Sequence, residues 1–374
     1  MVKAKRQVLA RDNPMFRRLF KKNESTYKVS IPKLSVVLDA PSDVTILEHA
    51  LMKGVAFPHS CRVGTCGTCK AKLVSGKVYE LTDKAYTLTA DELRENYVLC
   101  CQSMPRSDLV LEIAGIPEAI QRPPVVERAG EITALRNLTH DIIELEVTID
   151  EPVTYRAGQY CEIYVPGLIV DEAHESRSYS FASPPGNTPI SVVRFHVRLV
   201  PGGAFTTWLH AQAKVGQRLQ GHGPYGDFWL RPGNAPILAI AGGSGMAPLK
   251  AVLAQACAEG EARDVKYFFG ARRQEDLYCV EDMKALEAAW RGKFEFIPVL
   301  SGEPEDSDWN GARGFVSEHV RTVLGDRIAD YHVYMCGPPP MLDSAEKIVL
   351  SAGVSPTNIH ADKFYDRSHT QPRG

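Results

Sequence analysis

The 374-residue sequence lacks several features that define whole classes of protein. No stretch approaches the roughly 18 consecutive apolar residues of a membrane-spanning helix, and the N-terminus has no apolar run of about 7–15 residues, as a signal peptide would. Basic residues are not in excess, since 43 Lys and Arg face 45 Asp and Glu, which disfavours nucleic acid as the main partner. No repeat or low-complexity tract occurs. We therefore expect a cytoplasmic globular protein of two or three domains.

Cysteine is present, but its distribution differs from that of a secreted disulfide framework. Five of the nine cysteines fall within 41 positions, and the other four are scattered singly at 161, 257, 279 and 336. The clustered five are Cys61, Cys66, Cys69, Cys100 and Cys101. Clustering of this kind indicates a metal centre.

Strand and helix patterns divide the chain into three domains. Residues 28–115 combine short strand patterns with a helical pattern at 45–54, which suits a compact β-grasp unit. A segment rich in Pro and charge at 116–127 is typical of a linker. Residues 128–231 carry short strand patterns separated by turns, which indicates an antiparallel β-barrel. In residues 232–374 strands alternate with helices, which predicts a parallel α/β sheet covered on both faces.

A basic extension, residues 1–27, precedes these domains. It carries eight Lys and Arg against one Asp and one Glu, with Phe16, Leu19 and Phe20 inside the basic run. One interpretation is an amphipathic helix that contacts a partner or a membrane surface. The other is a solvated, partly disordered tail.

The spacing of the clustered cysteines predicts the kind of metal centre. Cys61, Cys66 and Cys69 follow C-x4-C-x2-C, and 31 residues separate Cys69 from Cys101. Plant-type 2Fe–2S clusters are held by four thiolates with this spacing and a distant fourth ligand. Structural zinc is the alternative, but zinc sites favour paired C-x2–4-C units. The pattern therefore favours the iron–sulfur cluster.

The fourth ligand is a choice between two adjacent residues, Cys100 and Cys101. Neighbouring side chains on an extended stretch point in opposite directions, so only one of them faces the cluster. The segment YVLCCQSMP resembles that of plant-type ferredoxins, in which the ligand is the cysteine of a CQ pair. This resemblance implies that Cys101 is the ligand and that Cys100 is a small buried apolar residue.

Two motifs in the barrel segment, RSYS at 177–180 and HVRLVPGGAFTTWL at 196–209, together resemble the ferredoxin–NADP+ reductase superfamily. The resemblance implies a bound flavin, with FAD favoured over FMN. An arginine fork suits pyrophosphate, glycines admit the phosphate, and an aromatic ring stacks on the isoalloxazine. Ser180 is implied to hydrogen-bond near the atom that receives hydride. The implied flavin-binding residues are Arg177, Ser178, Tyr179, Ser180, His196, Val197, Gly202, Gly203 and Thr206. The segment GHGPYGDFWL at 221–230 is interpreted mainly as a turn with barrel packing.

Two further motifs resemble the nucleotide domain of the same superfamily. AGGSGMAP at 241–248 lies between a strand pattern and a helix pattern, which is the context a dinucleotide motif needs. Its candidate binding residues are Gly243, Gly245 and Pro248. YMCGPPPM at 334–341 adds Cys336, Gly337 and Pro338. The resemblance implies that Cys336 lies near the nicotinamide, and the alternative is a buried inert thiol.

Nucleotide selectivity stays open in the sequence. Arg272 and Arg273 lie in the stretch that resembles an adenine-ribose region, where they would contact a 2′-phosphate of NADPH or be simply solvated. The G-A-R…D-L-Y pattern of this stretch favours NADH by resemblance. Phe364 is implied to cover the flavin, with Tyr365 as the alternative. Ser180, Cys336 and Phe364 are thus the predicted catalytic residues.

The domain order resembles the reductase components of bacterial Rieske-type dioxygenases and diiron monooxygenases over residues 28–366. It implies an oxidoreductase that passes electrons from NADH through FAD and a 2Fe–2S cluster to an oxygenase or its ferredoxin. A fatty-acyl desaturase or another non-oxygenase acceptor is the alternative partner. A different class, an electron carrier or redox sensor without turnover, is disfavoured by the flavin and nucleotide motifs.

Overall fold

A computed structural model describes residues 25–55, 57–59, 61–113, 125–170, 173–174, 176–186 and 188–364. Residues 1–24 of the basic extension and residues 116–124 of the predicted linker lie outside the described residues. The chain forms two compact units. The first comprises residues 1–125 with 169–174, and the second comprises 126–168 with 175–374.

The first unit contains a five-stranded mixed sheet beside one short two-stranded sheet. The sheet order is β2-β1-β7-β3-β5, in which β1 and β7 run parallel and the other neighbours are antiparallel. Its elements are β1 (Thr26–Ile31), β2 (Val36–Pro41), α1 (Ile46–Met52), β3 (Lys70–Ser75), β4 (Val78–Glu80), α2 (Ala90–Arg94), β5 (Tyr97–Leu99), β6 (Ser103–Pro105) and β7 (Leu109–Glu112). The smaller sheet pairs β4 with β6.

Helix α1 begins where the sequence pattern predicts a helix. The Thr45 hydroxyl accepts a hydrogen bond from the Glu48 N–H, which caps one of the unsatisfied groups of the first turn. Ile46, Leu47 and Ala50 are buried on one face of the helix. The cysteine-rich loop follows directly, so the packing of α1 holds the start of that loop.

The second unit begins with an antiparallel six-stranded sheet of order β13-β10-β15-β8-β9-β14. A bridge between Phe181 and Phe195 connects the two ends of this order and closes the barrel. Its elements are β8 (Val126–Asn137), β9 (Ile142–Val153), β10 (Tyr160–Tyr164), β13 (Arg177–Ser180), β14 (Ile190–Arg198), α3 (Ala204–Ala211) and β15 (Arg218–Tyr225). Between β10 and β13 the chain forms a short hairpin of β11 (Ile169–Val170) and β12 (Ala173–His174), which belongs to the first unit.

A parallel six-stranded sheet of order β19-β18-β17-β16-β20-β21 completes the second unit. Leu238 and Ile240 face one apolar cluster while Ala239 and Ala241 face another, so both faces of β16 are covered. The elements are β16 (Ile237–Gly242), α4 (Met246–Ala258), β17 (Val265–Ala271), α5 (Val280–Ala289), β18 (Phe294–Leu300), β19 (Ala312–Arg313), α6 (Val316–Leu324), β20 (His332–Gly337), α7 (Pro339–Ser351) and β21 (Ile359–Lys363).

The predicted fold class is confirmed, while two local features differ from the sequence patterns. The strands on either side of Gly76 belong to different sheets, because β3 pairs with β5 and β7 while β4 pairs with β6. Residues 221–225 extend strand β15 instead of forming a turn, because β8 and β10 pair with them on both sides. The barrel and the parallel sheet share one compact unit. Among the described residues, no helix has the length and apolar character needed to cross a bilayer.

Candidate functional site

Four thiols lie together in the first unit. Cys61, Cys66 and Cys69 lie in the irregular segment between α1 and β3, and Cys101 lies in a 3-10 turn after β5. The Cys61 and Cys66 thiols hydrogen-bond to each other, and so do those of Cys69 and Cys101. The bond from Cys66 lowers the pKa of the Cys61 thiol to about 5, and the bond from Cys69 lowers the pKa of Cys101. The same bonds raise the pKa of the Cys66 and Cys69 thiols, so the thiolate is favoured at one sulfur of each pair. Four sulfurs in two neighbouring pairs fit the donor set of a 2Fe–2S cluster.

Backbone groups of the loop also point at these sulfurs. The N–H groups of Val63 and Thr65 hydrogen-bond to the Cys61 thiol, and that of Gly64 to the Cys101 thiol. Gly64 has φ +84°, and a Cβ there would lie 2.8 Å from Gln102 Cγ, so a side chain would be both strained and crowded. The Thr87 hydroxyl donates to the Gly64 carbonyl at 2.6 Å. The loop is thus shaped to stabilise negative charge on sulfur.

Cys100 lies away from this arrangement. Its side chain is completely buried, and burial raises the pKa of its thiol. Its N–H donates to the Cys69 carbonyl at 3.1 Å, which joins the turn to the start of β3. The geometry therefore agrees with the prediction that Cys101 is the fourth ligand, although the ligand assignments stay predictions.

The RSYS residues occupy β13, which is an edge strand of the barrel sheet. Tyr179 packs its ring against Phe205 of α3, with 5.4 Å between ring centroids, and burial raises the pKa of its phenol. Ser180 is 7% exposed and lies opposite Tyr160 on β10. The Arg177 guanidinium donates to the Ser176 carbonyl at 2.7 Å. Ser178 is exposed.

The Gly202–Gly203 turn leads directly into α3. Gly203 is the N-cap and provides no side-chain cap, so the N–H groups of the first turn remain available to an anion. The Thr206 hydroxyl is buried within the turn, where it accepts from the Val200 N–H at 3.1 Å and lies 3.2 Å from the Gly203 carbonyl. Thr206 therefore shapes the turn. An uncapped helix start fits a phosphate of a flavin dinucleotide.

His196 and Val197 face opposite sides of β14. Val197 packs into the barrel core and is fully buried. His196 is also buried, with its Nε2 3.7 Å from Glu144 Oε2 and its ring edge-on to Tyr278 at 5.4 Å. Burial lowers the pKa of His196. His196 therefore lies where the barrel meets the parallel sheet, and the predicted cofactor contacts of both residues stay untested.

The glycine turn after β16 brings α4 against the end of β20. A Cβ on Gly245 would lie 2.1 Å from the Cys336 carbonyl oxygen, so only glycine permits this approach. The Tyr278 hydroxyl donates to the Gly243 carbonyl at 2.9 Å, and Pro248 is buried in the first turn of α4. α4 has no side-chain cap, which leaves its start open to phosphate. α7 also lacks a side-chain cap, but its first two residues, Pro339 and Pro340, have no N–H, and the Met341 N–H donates to the Pro338 carbonyl at 3.1 Å.

These helix starts border a cleft of about 290 Å³ along the carboxyl edge of the parallel sheet. Ligands of parallel α/β sheets bind at this edge. Its walls include Gly242, Gly243, Ala271, Arg272 and Pro338 from the nucleotide part of the unit and Asp141, Ile142 and Arg198 from the barrel. Arg273 is exposed and does not line the cleft. The sequence motifs did not indicate Asp141, because it lies about a hundred residues before the glycine turn and follows no recognisable pattern.

The remaining predicted catalytic residues lie near the end of β20. The Cys336 side chain is fully buried in an apolar cluster, and burial raises the pKa of its thiol. The Phe364 N–H donates to the Gly337 carbonyl at 2.9 Å, and its half-buried ring packs against the same cluster. The structure thus brings Cys336, Gly337 and Phe364 together. Tyr365 lies outside the described residues.

Profiles of three known domains match the chain in the order of its sheets. Residues 31–106 match a 2Fe–2S iron–sulfur cluster binding domain, residues 129–229 an oxidoreductase FAD-binding domain, and residues 239–347 an oxidoreductase NAD-binding domain. The predicted cofactors, a 2Fe–2S cluster, FAD and NADH, are therefore confirmed at the level of domain type. The domain boundaries and the individual site residues remain predictions.

Two curated relatives match nearly the whole chain. The xylene/toluene monooxygenase electron transfer component XylA of Pseudomonas putida is 43% identical over 92% of this chain and 95% of its own. The phenol 2-monooxygenase reductase component DmpP of Pseudomonas sp. (strain CF600) is 34% identical over 91% of this chain and 95% of its own.

Solved structures agree with these relatives. The Amycolatopsis cytochrome P450 reductase GcoB matches with a TM-score of 0.79 and 31% identity over 91% of this chain and 99% of its own. The ferredoxin reductase in carbazole 1,9a-dioxygenase matches with a TM-score of 0.70 and 31% identity over 91% of this chain and 98% of its own. The chain therefore belongs to the family of NAD-dependent reductase components, built from 2Fe–2S, FAD-binding and NAD-binding domains, that transfer electrons to oxygenases.

Proposed function

We propose that this chain supplies electrons from NADH to the oxygenase component of a monooxygenase that acts on aromatic hydrocarbons. The observation that carries the proposal is the presence, in one chain, of the four-thiol site and the nucleotide cleft. The choice of partner is supported by the 43% identity to the electron transfer component of xylene/toluene monooxygenase, against 34% to the phenol 2-monooxygenase reductase component. We place the protein in the cytoplasm, where NADH is available.

In this proposal the first unit is the exit for electrons. The thiolates of Cys61, Cys66, Cys69 and Cys101 hold the cluster, and the N–H groups that point at them offset its negative charge. Cys66 is the exposed member of the four. A partner that docks over the cysteine-rich loop therefore approaches the cluster from the side of Cys66.

The barrel holds the flavin through β13 and the turn before α3. Arg177 and the uncapped start of α3 neutralise the pyrophosphate, and Tyr179 and Ser180 face the ring system from the edge strand. Phe364, after β21, and Cys336, at the end of β20, contribute to the flavin site in this proposal. The chemistry that bound FAD supplies is acceptance of a hydride from NADH and release of the electrons one at a time.

The cleft positions the nucleotide. The glycine turn at the start of α4 presents N–H groups to its phosphates, and the carboxyl edge of the sheet supports the rest of the molecule. The close contact of Gly245 with the Cys336 carbonyl keeps α4 and β20 at a set separation. The protein thereby contributes orientation and exclusion of water.

Three acceptors separate the steps of this electron path. The loaded protein is expected to reduce ferricyanide and cytochrome c with NADH, and to support toluene hydroxylation when mixed with the oxygenase component of an aromatic-hydrocarbon monooxygenase. Cys101→Ser is expected to keep the ferricyanide activity and lose the other two. A flavin-loaded protein that oxidised no NADH would refute the proposed activity. Transfer to cytochrome c without any support of the oxygenase would refute the proposed partner.

A further inference from the structure

Two carboxylates hold the arginine that faces the nucleotide cleft. Arg272 is the first residue after β17, and its Nη2 donates to Asp141 Oδ2 at 3.2 Å and to Asp276 Oδ1 at 3.5 Å. Both carboxylates are largely buried, since the side chain of Asp141 is 16% exposed and that of Asp276 is 12% exposed. The Arg272 side chain, in contrast, is 57% exposed. Arg272, Asp141 and Asp276 all line the cleft.

Asp141 belongs to the barrel rather than to the nucleotide-binding sheet. It lies between β8 and β9, where its Oδ2 also accepts from Arg198 Nε at 3.0 Å and its Oδ1 from the Thr139 hydroxyl at 3.0 Å. Burial opposes its charge, but the interactions with Arg198 and Thr139 outweigh burial and lower its pKa. The carboxylate is thus ionised and held in place by its own part of the unit. Its bond to Arg272 joins the barrel to the parallel sheet.

Asp276 is equally constrained. Its Oδ2 accepts the backbone N–H of Arg273 at 3.0 Å, which fixes the carboxylate at the mouth of the cleft. Asp141, Arg198, Arg272 and Asp276 are the four charged groups among the described residues that line the cleft, so its charges balance. A 2′-phosphate would have to draw Arg272 away from two fixed carboxylates while lying close to them. A ribose 2′-hydroxyl donates to a carboxylate at no such cost.

We propose that Asp141 and Asp276 together select NADH over NADPH, and that Asp141 does so from the flavin barrel. The inference rests on the proposed function in one respect, that the nucleotide occupies this cleft. Arg272 is the residue whose availability they control. Arg273, which lies outside the cleft lining, takes no part.

The test measures ligand binding to the cofactor-loaded protein by calorimetry, without turnover. The probes are 5′-AMP and adenosine 2′,5′-bisphosphate (2′,5′-ADP), which differ only in the 2′-phosphate. The wild-type protein is expected to bind 5′-AMP at least about tenfold more tightly than 2′,5′-ADP. In Asp141→Asn/Asp276→Asn the affinity for 2′,5′-ADP is expected to rise about tenfold, while that for 5′-AMP stays the same or falls.

A matched pair of arginine variants shows the origin of the gain. Adding Arg272→Ala to the double variant should abolish the gain, and adding Arg273→Ala should preserve it. Each single Asp→Asn variant is expected to give part of the gain, so the result does not depend on the double variant folding. The visible absorption of flavin and cluster verifies folding.

Three outcomes would overturn these claims in distinguishable ways. Equal binding of the two probes to the wild-type protein, or no gain in any Asp→Asn variant, refutes the selectivity role. A gain that persists without Arg272 refutes the proposed route. Failure of 5′-AMP to bind the wild-type protein refutes nucleotide binding in the cleft, and with it the proposed function.

Discussion

Replacing Gly245 by alanine tests whether the close approach of α4 to β20 is needed for stability and for nucleotide use. The backbone of Gly245 has φ −62° and ψ −13°, which alanine adopts freely, so the substitution acts through contacts alone. The new Cβ would lie 2.1 Å from the Cys336 carbonyl oxygen, 2.5 Å from its carbon and 2.9 Å from the Gly337 nitrogen. All three atoms belong to the backbone of a strand that is paired on both sides.

The size of the effect follows from the overlap. Real Cβ contacts stay beyond 3.0 Å, so 3.0 minus 2.1, or 0.9 Å, must open between α4 and β20. No flexible side chain can relieve this, and overpacking of this kind costs about 1–3 kcal/mol. We expect the upper end, about 3 kcal/mol. A displacement near 1 Å at the nucleotide also predicts a fall of about 100-fold in NADH-dependent ferricyanide reduction.

Urea unfolding monitored by tryptophan fluorescence measures the stability of the relevant unit, because all four tryptophans (208, 229, 290 and 309) lie in the second unit. Gly221→Ala is the control, since its Cβ would meet nothing closer than 3.7 Å and alanine is favoured over glycine in a strand. That variant should be as stable as the wild type or slightly more so. Wild-type stability and activity in Gly245→Ala would refute the reasoning.

Three further predictions concern other sites. Cys101→Ser should abolish the visible absorption of the cluster while Cys100→Ser keeps it, and the reverse result would show that Cys100 is the ligand. His196, with Arg136, lowers the pKa of Glu144 from 4.5 to about 2. The stability that this pKa shift provides is complete above pH 4.5 and is lost as the pH falls towards 2, by at most about 3 kcal/mol. Glu144→Gln should therefore flatten this part of the acid unfolding profile. An unchanged profile would contradict the role of Glu144. Thr206→Val removes the hydroxyl that accepts the Val200 N–H, so it should destabilise the second unit by about 1–3 kcal/mol and weaken the retention of FAD. Unchanged urea unfolding would contradict the role of Thr206 in the turn.

Local patterns in the sequence were sufficient for the fold class and for the kind of cluster. Three of the four predicted thiols come from one nine-residue segment, so their spacing alone indicates the geometry of the ligands. Strand and helix patterns likewise reflect which faces are buried, because the residues of a buried face recur at a regular spacing along the chain. Strand pairing was harder to predict, because β3 and β4 follow each other in the chain but join different sheets.

The sequence by itself determined that this chain carries a cluster-binding loop, a barrel and a nucleotide-binding sheet, because each depends on residues close together in the chain. Only the tertiary structure decided which distant groups meet. It places the Cys101 thiol beside Cys69 while Cys100 is buried elsewhere, and it brings Asp141 to Arg272 across 131 positions. No local pattern encodes that pairing, because it arises from the packing of the barrel against the parallel sheet. The charge balance of the cleft is therefore a property of the folded unit.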